Sequence, residues 1–478
     1  MKKIKKYIED NKYTLIFVFL LFALSLFMSS LFQKESDYFW HISAGKYMFD
    51  NKLILTKDVF SWFLNGTYWM SHEWGFDILI YIFNILFGKA HLFVYSFSTV
   101  FMLLLILFFS NKKNYMKNLI FSLFWLIAFL MFCVYMQGRP HLLSFSFVAL
   151  TIWFCFDLFY DDNSKKIYFL PLVALFWSNF HGGSSNLSYL FCFGFMIIGL
   201  FKFKFNKIVA KRLNNKQLMR YFIVSLLCLV TICINPHGIK MLFYPYANIF
   251  DSTMINFISE WQPTVLGNVT HYPYFVLIVV LMLILIFSKE KIRFIDLALF
   301  GFAVILGLKS IRFWGYTYLI MNYVIFNYIP NRKIDKGTDK MILVFGIFLI
   351  VLFIGGLNNV VKEYDKKFIS NNMINVIKKE NPKRLYNMYD YGGELIYNNI
   401  SVFVDGRADL YSRVNLNDYN DISLLHNDYI KIMDKYNFDY YLVDKKYPIN
   451  YFLSYSDKYE VVRDEKTMIL YKKKDLTN

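Results

Sequence analysis

Long apolar runs alternate with short polar turns along the first 360 residues of the chain. A helix of about 20 apolar residues spans the hydrocarbon core of a bilayer. The pattern therefore predicts an α-helical polytopic membrane domain with about eleven transmembrane helices. The predicted spans lie near residues 14–33, 90–110, 118–136, 142–160, 167–180, 187–203, 221–234, 272–288, 293–308, 311–329 and 342–358.

The turns between these runs differ in charge from one side to the other. Lysine-rich turns such as "NKKNYMKN" and "SKEKIR" fall on one side if the basic N-terminus is cytoplasmic, as the positive-inside rule requires. The apolar stretch Gly75–Gly88 is short for a span and is predicted to be an interfacial helix. The sequence thus predicts a multi-pass protein of the cell membrane with a cytoplasmic N-terminus, a large first outer loop at 34–89 and an extracytoplasmic C-terminus.

Composition changes from about Val361, where the chain becomes polar and rich in Tyr, Asn, Asp and Lys. "RLYNMYD", "SVFVDG", "DYYLVD", "YEVV" and "MILYKK" are typical of short strands, and "FISNNMINVIKKE" and "HNDYIKIMDKY" of helices. Residues 1–360 are therefore predicted to form the transmembrane domain, and residues 361–478 a small α/β extracytoplasmic domain.

The net charge of +17 is explained by these cytoplasmic turns, so a nucleic-acid partner is not predicted. The five cysteines lie in apolar segments without metal-ligand spacing, and neither a disulfide framework nor a zinc site is expected. The chain also has no P-loop or GxGxxG pattern for a nucleotide.

Polar chemistry concentrates in the predicted outer turns. None of the eight histidines falls in a predicted cytoplasmic loop, and the outer turns include "SHEW", "QGRPH", "NFHGGSSN" and "NPHGIK". Any reaction is therefore predicted at the outer face.

Arg139, Lys309 and Arg312 lie at predicted outer helix ends, against the positive-inside bias. Guanidinium groups match phosphate oxygens, and a lysine adds a point charge, so the three residues are candidates for phosphate binding. The alternative is that each contacts lipid headgroups or pairs with an acid such as Glu260 or Glu73.

The first outer loop holds the candidate catalytic acids. Asp37 follows the first span closely, and His41 lies four residues later, on the same face of a helix. A carboxylate in a partly desolvated cleft, oriented by an imidazole, can accept a hydroxyl proton. Glu73 and Asp58 are further candidates for the general base, whereas the alternative for Asp37 is a helix cap.

Other polar residues are candidates for substrate binding: His141, His181, His237, Asp405 and Arg407. In "VFVDGRADLY" the charges could instead form a salt-bridged turn. A divalent metal ion held by the outer histidines with Asp37 and Glu73 is a further alternative, although the sequence has no local metal motif.

The architecture resembles the GT-C superfamily of membrane glycosyltransferases, which includes protein O-mannosyltransferases and lipid A aminoarabinose transferases. The resemblance covers topology: a cytoplasmic N-terminus, an acid just after the first span, a short interfacial helix and a C-terminal outer domain. It implies a polyprenyl-phosphate-linked sugar as donor, Asp37 as the catalytic acid, and Arg139, Lys309 and Arg312 at the lipid phosphate. The first loop reads "ESD", with Ser36 where the mannosyltransferases usually have adjacent acids.

The function expected from the sequence is inverting glycosyl transfer to an extracytoplasmic acceptor, with Asp37 as base, aided by His41 or Glu73. The alternatives are a transporter or lipid flippase, a polymerase or ligase of cell-surface glycans, and a structural scaffold. Few charged residues lie deep in the predicted spans, which disfavours a transporter.

Overall fold

A computed structural model describes residues 10–110, 137–328, 337–412 and 414–474. The predicted span at 118–136 lies outside these ranges. The chain divides into two compact units. Unit 1 comprises Met1–Gln33, Phe87–Pro245 and Ile258–Tyr364, and unit 2 comprises Lys34–Leu86, Tyr246–Phe257 and Asp365–Asn478. Unit 2 therefore combines most of the predicted first outer loop with the C-terminal region.

The described helices, in chain order, are α1 (Lys12–Ser30), α2 (Asp37–Asn51), α3 (Trp74–Phe87), α4 (His91–Ser110), α5 (His141–Tyr160), α6 (Leu170–Phe180), α7 (Leu187–Ile198), α8 (Asn215–Ile232), α9 (Lys240–Ile249), α10 (Ser252–Phe257), α11 (Tyr272–Phe287), α12 (Phe294–Lys309), α13 (Trp314–Phe326), α14 (Thr338–Asp365), α15 (Asn371–Glu380), α16 (Gly392–Tyr397), α17 (Ala408–Tyr411), α18 (Leu416–Leu424), α19 (Tyr429–Tyr436) and α20 (Pro448–Tyr455). The described strands are β1 (Phe203–Phe205), β2 (Ile208–Ala210), β3 (Ile292–Arg293), β4 (Leu385–Asn387), β5 (Tyr440–Asp444), β6 (Tyr459–Asp464) and β7 (Met468–Lys473).

Unit 1 is mostly helical, as the apolar runs predict. Within the described residues, six helical segments are long and apolar enough to cross a membrane. They are Lys12–Ser30, Trp74–Ser110, His141–Tyr160, Asn215–Ile232, Val269–Phe287 and Asp339–Asp365, of which the second begins within unit 2. Lys166–Phe180 and Gly182–Ile198 are shorter apolar helices. A membrane protein is thus supported, whereas the count of eleven spans and the orientation of the termini stay predictions.

Helix α8 shows how the sequence sets an element boundary in unit 1. The side chain of Asn214 accepts a hydrogen bond from the backbone N–H of Gln217, and the Gln217 side chain accepts one from the N–H of Asn214. This capping box satisfies backbone donors that the first helical turn leaves open. The apolar run that follows then continues as helix.

Unit 2 is built on a four-stranded sheet in the order β4-β5-β7-β6. β4 pairs with β5 in parallel, and the other two pairs are antiparallel. The predicted strands at these four places are confirmed, and so are the predicted helices, which occur as α15 and α19. Helix α2 belongs to this unit, because Trp40, Ala44 and Met48 are buried in the same apolar core as the sheet.

The strand predicted at 401–406 is wrong. These residues form one isolated bridge, between Val402 and Ser61, and no ladder. The buried side chain of Asn387 provides the reason. It accepts a hydrogen bond from the N–H of Phe403 at 2.8 Å and donates one to the carbonyl of Val404 at 2.8 Å. A side chain therefore satisfies backbone groups that a neighbouring strand would otherwise pair.

Candidate functional site

Helix α2 fixes the position of the predicted catalytic acid in unit 2. Positions 37, 41, 44 and 48 lie on one face of the helix, because residues three and four apart are neighbours. Ala44 and Met48 anchor this face in the core, and His41 is only 2% exposed. Asp37 is the first residue of the helix and is partly exposed. A carboxylate is stabilised there by the helix dipole.

His41 belongs to a cluster of acidic and imidazole side chains within unit 2, the acid–imidazole cluster. His41 Nδ1 lies 2.6 Å from Asp77 Oδ1, and both side chains are buried. His41 Nε2 faces Glu73 Oε2 at 3.8 Å. The other oxygen of Glu73 lies 3.2 Å from His72 Nε2, and His72 Nδ1 lies 4.0 Å from Asp409 Oδ2. The Asp77 contact fixes the imidazole of His41, since a hydrogen bond at one ring nitrogen sets the role of the other.

The solvent-exposed end of the acid–imidazole cluster carries charge. The side chains of His72 and Asp409 are each 12% exposed, so they reach solvent while Asp77 does not. Burial opposes a charge on His72, but the carboxylates of Glu73 and Asp409 outweigh it and raise the pKa of His72 above its usual value. His72 is thus held toward its cationic form between two acids.

Asp37 packs against a glycine of the "DGRAD" segment. A methyl group added to Gly406 would lie 1.7 Å from Asp37 Oδ1 and 3.0 Å from Trp40 Nε1. The ring of Trp40 stacks on that of His41 at 3.6 Å. The absence of a side chain at Gly406 therefore lets the Asp37 carboxylate and the Trp40 indole N–H approach the same point.

A buried ion-pair layer supports this segment. Arg407 forms a bidentate pair with Asp405, at 2.8 Å from Nε and 2.6 Å from Nη2, and its Nη1 lies 2.6 Å from Asp58 Oδ1. Tyr411 donates to Asp405 at 2.6 Å. Burial raises the pKa of Asp58, but the charge of Arg407 and a hydrogen bond from Ser61 outweigh it and lower that pKa overall.

This layer revises three predictions. Asp58, Asp405 and Arg407 are paired with one another, and their side chains are 0% exposed. They have no surface for a ligand, so the salt-bridged alternative fits Asp405 and Arg407 better than direct substrate binding. Asp58 is likewise unsuited to act as a base, since its proton-accepting oxygens are already occupied by Arg407 and by Ser61.

Several buried polar atoms of unit 2 form no hydrogen bond within the described part of the chain. They are Trp40 Nε1, Trp69 Nε1, Ser71 Oγ and Asp77 Oδ2. Buried polar groups are rarely left unpaired, because each one costs free energy comparable to a lost hydrogen bond. The indole N–H of Trp40, which meets Asp37 beside Gly406, is therefore a place where water or a polar ligand is expected to bind.

A second cluster lies in unit 1, around Glu260. Arg139 Nη1 lies 3.2 Å from Glu260 Oε1, and Arg312 Nη1 lies 2.9 Å from the same oxygen. Burial raises the pKa of Glu260, but Arg312, Arg139 and His141 outweigh it and lower that pKa to about 2. Two of the three predicted phosphate-binding residues and one predicted substrate-binding histidine thus converge, with Glu260 as the acid that sequence analysis gave as their alternative partner.

The turns that hold these arginines are tied together by hydrogen bonds. Ser310 Oγ donates to the carbonyl of Glu260 at 2.8 Å, and Ile311 N donates to the carbonyl of Gln262 at 3.2 Å. The guanidinium of Arg312 also lies 4.8 Å from the centre of the Trp261 ring. Lys309, the third predicted cation, is exposed at the last residue of α12.

The other predicted histidines of unit 1 are buried. His181 is 4% exposed, and its Nδ1 lies 2.6 Å from Ser144 Oγ and 3.1 Å from Ser184 Oγ. His237 is 7% exposed. His181 belongs to a hydrogen-bonded network with Trp177 and Tyr316, which both donate to Ser184. This network favours a structural role for His181.

The metal alternative gains no support from the geometry. Within the described ranges, no group of three or more His, Cys, Asp or Glu side chains is arranged to hold a metal ion. His41 and His72 belong to unit 2, whereas His141, His181 and His237 belong to unit 1.

Sequence reasoning missed Asp77, Gly406 and the central place of Glu260. Asp77 had a detectable signal, because it follows Glu73 by four residues at the start of a helix and therefore shares its face. Gly406 and Glu260 had none, since the role of each depends on residues far away in the sequence.

The sequence matches no protein-family model and no curated protein sequence. Among solved structures, the chain is similar to an oligosaccharyltransferase from Archaeoglobus fulgidus in its apo form. The two share 12% identity with a TM-score of 0.47, over 92% of this chain and 70% of the other. That similarity is too low to transfer either the fold or the activity of the archaeal enzyme to this chain.

Proposed function

We propose that this protein is a membrane glycosyltransferase that moves a sugar from a polyprenyl-phosphate donor to an acceptor hydroxyl outside the cytoplasm. Asp37 is the general base. His41 and Glu73 position the groups around it, and the cations near Glu260 bind the donor phosphate.

One observation carries the proposal: Asp37 is a partly exposed carboxylate at the edge of a buried acid–imidazole cluster. The neighbouring indole N–H of Trp40 has no partner within the described ranges, and the backbone of Gly406 lets the Asp37 carboxylate pack close to it. An acceptor hydroxyl at the exposed edge of these two groups can accept a hydrogen bond from Trp40 and donate one to Asp37. A base needs such hydrogen-bonding reach to its proton.

The proposed reaction is a single displacement with inversion. The acceptor hydroxyl gives its proton to Asp37 while its oxygen forms a bond to the anomeric carbon. The bond between that carbon and the phosphate oxygen breaks, and the phosphate leaves with the electron pair. The base is needed because a neutral hydroxyl is a weak nucleophile, and cations near the leaving group lower the barrier.

The phosphate-binding part of the proposal rests on charge. Arg139, Arg312 and Glu260 together leave one net positive charge, and Lys309 adds another in the same part of the sequence. Glu260 stays ionised because of its low pKa, and it orients the two guanidinium groups. Arginine forks suit phosphate oxygens.

The test uses the full-length protein in nanodiscs with a panel of polyprenyl-phosphate sugars, measuring both binding and release of the sugar. Asp37→Asn is expected to bind the active donor normally and to lose most of its turnover. Asp457→Asn, which changes an exposed acid elsewhere in unit 2, is the matched control. Near-normal turnover in Asp37→Asn removes the base assignment, and an absence of donor binding in wild type would favour a transporter or scaffold.

A second pair of variants tests the cations. Arg312→Ala should weaken donor binding more than Arg293→Ala, because Arg293 is paired with Asp296 away from the Glu260 cluster. Equal effects on binding, accompanied by equal losses of thermal stability, would mean that both arginines are only structural.

A further inference from the structure

Unit 2 contains a cleft of about 720 Å³ that the proposed chemistry does not use. Helices α2 and α3 form two of its sides, and the segment 396–401 at the end of α16 forms a third. Its volume falls in the range typical of sites for small ligands. Its polar and aromatic lining residues include Tyr47, Tyr81, Asn84 and Asn399.

The cleft lies on a different face of α2 from Asp37 and the acid–imidazole cluster. Ser43, Lys46 and Asp50 line it, whereas Asp37 and His41 are on the stripe anchored in the core. At about 100° per residue, positions 46 and 50 point away from positions 37 and 41. A ligand in this cleft would therefore not occupy the place of the Asp37 carboxylate.

The charges of the described lining residues cancel. Among these residues, Lys46 and Asp50 are the only acidic or basic side chains, and they pair at 2.5 Å. A phosphate or another anion would find no excess positive charge here. The lining therefore favours a neutral polar ligand.

The lining combines aromatic rings with polar groups that have no hydrogen-bond partner among the described residues. The hydroxyls of Tyr47 and Tyr81 and the side-chain amides of Asn84 and Asn399 form no hydrogen bond to another residue in the described ranges. An amide both donates and accepts hydrogen bonds, and a tyrosine offers an apolar ring with a polar end. A sugar presents the complementary surface, because its C–H groups are apolar and its hydroxyls donate and accept.

We propose that this cleft binds a neutral oligosaccharide. In the context of the proposed function, on which this role rests, the oligosaccharide is the acceptor, and the cleft holds sugar units distant from the hydroxyl that reacts at Asp37. Binding itself needs neither the donor nor Asp37, so it can be measured separately.

The test measures binding of uncharged oligosaccharides, made of glucose, mannose or N-acetylglucosamine, to the full-length protein in nanodiscs without donor, by calorimetry. Asn84→Leu replaces an amide that forms no hydrogen bond to another described residue. Asn399→Gly removes an amide while keeping a backbone with φ of 59°, which glycine adopts freely. Each variant is expected to raise the Kd about tenfold or more, the loss expected for one or two hydrogen bonds.

Asn381→Gly is the matched control, because Asn381 also has a positive φ, of 49°, and lies outside the cleft. It should bind as wild type does. Unchanged affinity in both cleft variants, at unchanged melting temperature, would overturn the site, and so would a lack of any oligosaccharide binding in wild type. Asp37→Asn should bind the oligosaccharide normally, so a failure of the base assignment and a failure of the cleft give different results.

Discussion

Adding a methyl group at Gly406 tests the placement of Asp37 without removing its carboxylate. In Gly406→Ala the new Cβ would start 1.7 Å from Asp37 Oδ1 and must end at least 3.0 Å away. Because Asp37 is partly exposed, its side chain can rotate, and the backbone need not move. A displacement of about 1 Å at a reacting group can cost about 100-fold in rate. We therefore expect kcat to fall by about two orders of magnitude.

Stability should change little in the same variant. Gly406 does not have a positive φ, so alanine fits its backbone, and the substitution reduces the entropy of the unfolded chain by about 0.4–1 kcal/mol. The small cost of turning Asp37 offsets part of this gain. The expected signature is lost transfer with a melting temperature within a few degrees of wild type.

The assay is sugar release from the active polyprenyl-phosphate donor, with thermal unfolding measured on the same sample. Gly267→Ala serves as the control, because a methyl group there would have no atom within 4 Å. Wild-type kcat in Gly406→Ala would refute the reasoning, since it would show that the carboxylate is not needed at this point.

Three further predictions concern charge. Arg407→Met leaves Asp58 and Asp405 buried without a cation, and should destabilise the protein by about 3–5 kcal/mol in denaturant unfolding. A loss below about 1 kcal/mol would contradict the ion-pair layer. Glu260 has its pKa lowered from 4.5 to about 2, so its stabilisation is complete above pH 4.5 and is lost as the pH falls toward 2. Glu260→Gln should flatten that part of a thermal stability profile, and an unchanged slope would count against the pairing. His72 has its pKa raised above 6.5, so its contribution is complete below pH 6.5 and is lost as the pH rises through the raised value. His72→Gln should remove that decline in the same measurement, and its persistence would assign the decline to another group.

The sequence predicted local structure well where the pattern alone decides it. Apolar runs predicted helices such as α5 and α13, and the short apolar run in "MILYKK" predicted β7. The segment 401–406 also contains a short apolar run but forms no ladder, because Asn387 occupies the backbone groups of Phe403 and Val404 from elsewhere in the unit. A local sequence pattern carries no information on such a competitor.

The site was predictable to the same extent. Asp37 and His41 lie four residues apart on one helix, and their common face follows from helix geometry. The burial of Arg407 with Asp58 does not follow, because these residues are distant in the sequence and the pattern "DGRAD" is compatible with either a loop for substrate or an internal salt bridge. Only tertiary structure decides between the two.

Unit 2 consists of three separate stretches of the chain, and this has a consequence for its biosynthesis. Asp58 and Arg407 are 349 residues apart, so at about 5–20 residues per second the acid waits about 17–70 s for its cation. During that time the apolar side chains of α2 lack the sheet that covers them. The first stretch of unit 2, Lys34–Leu86, is therefore expected to be protease-sensitive on ribosomes stalled before Asp365.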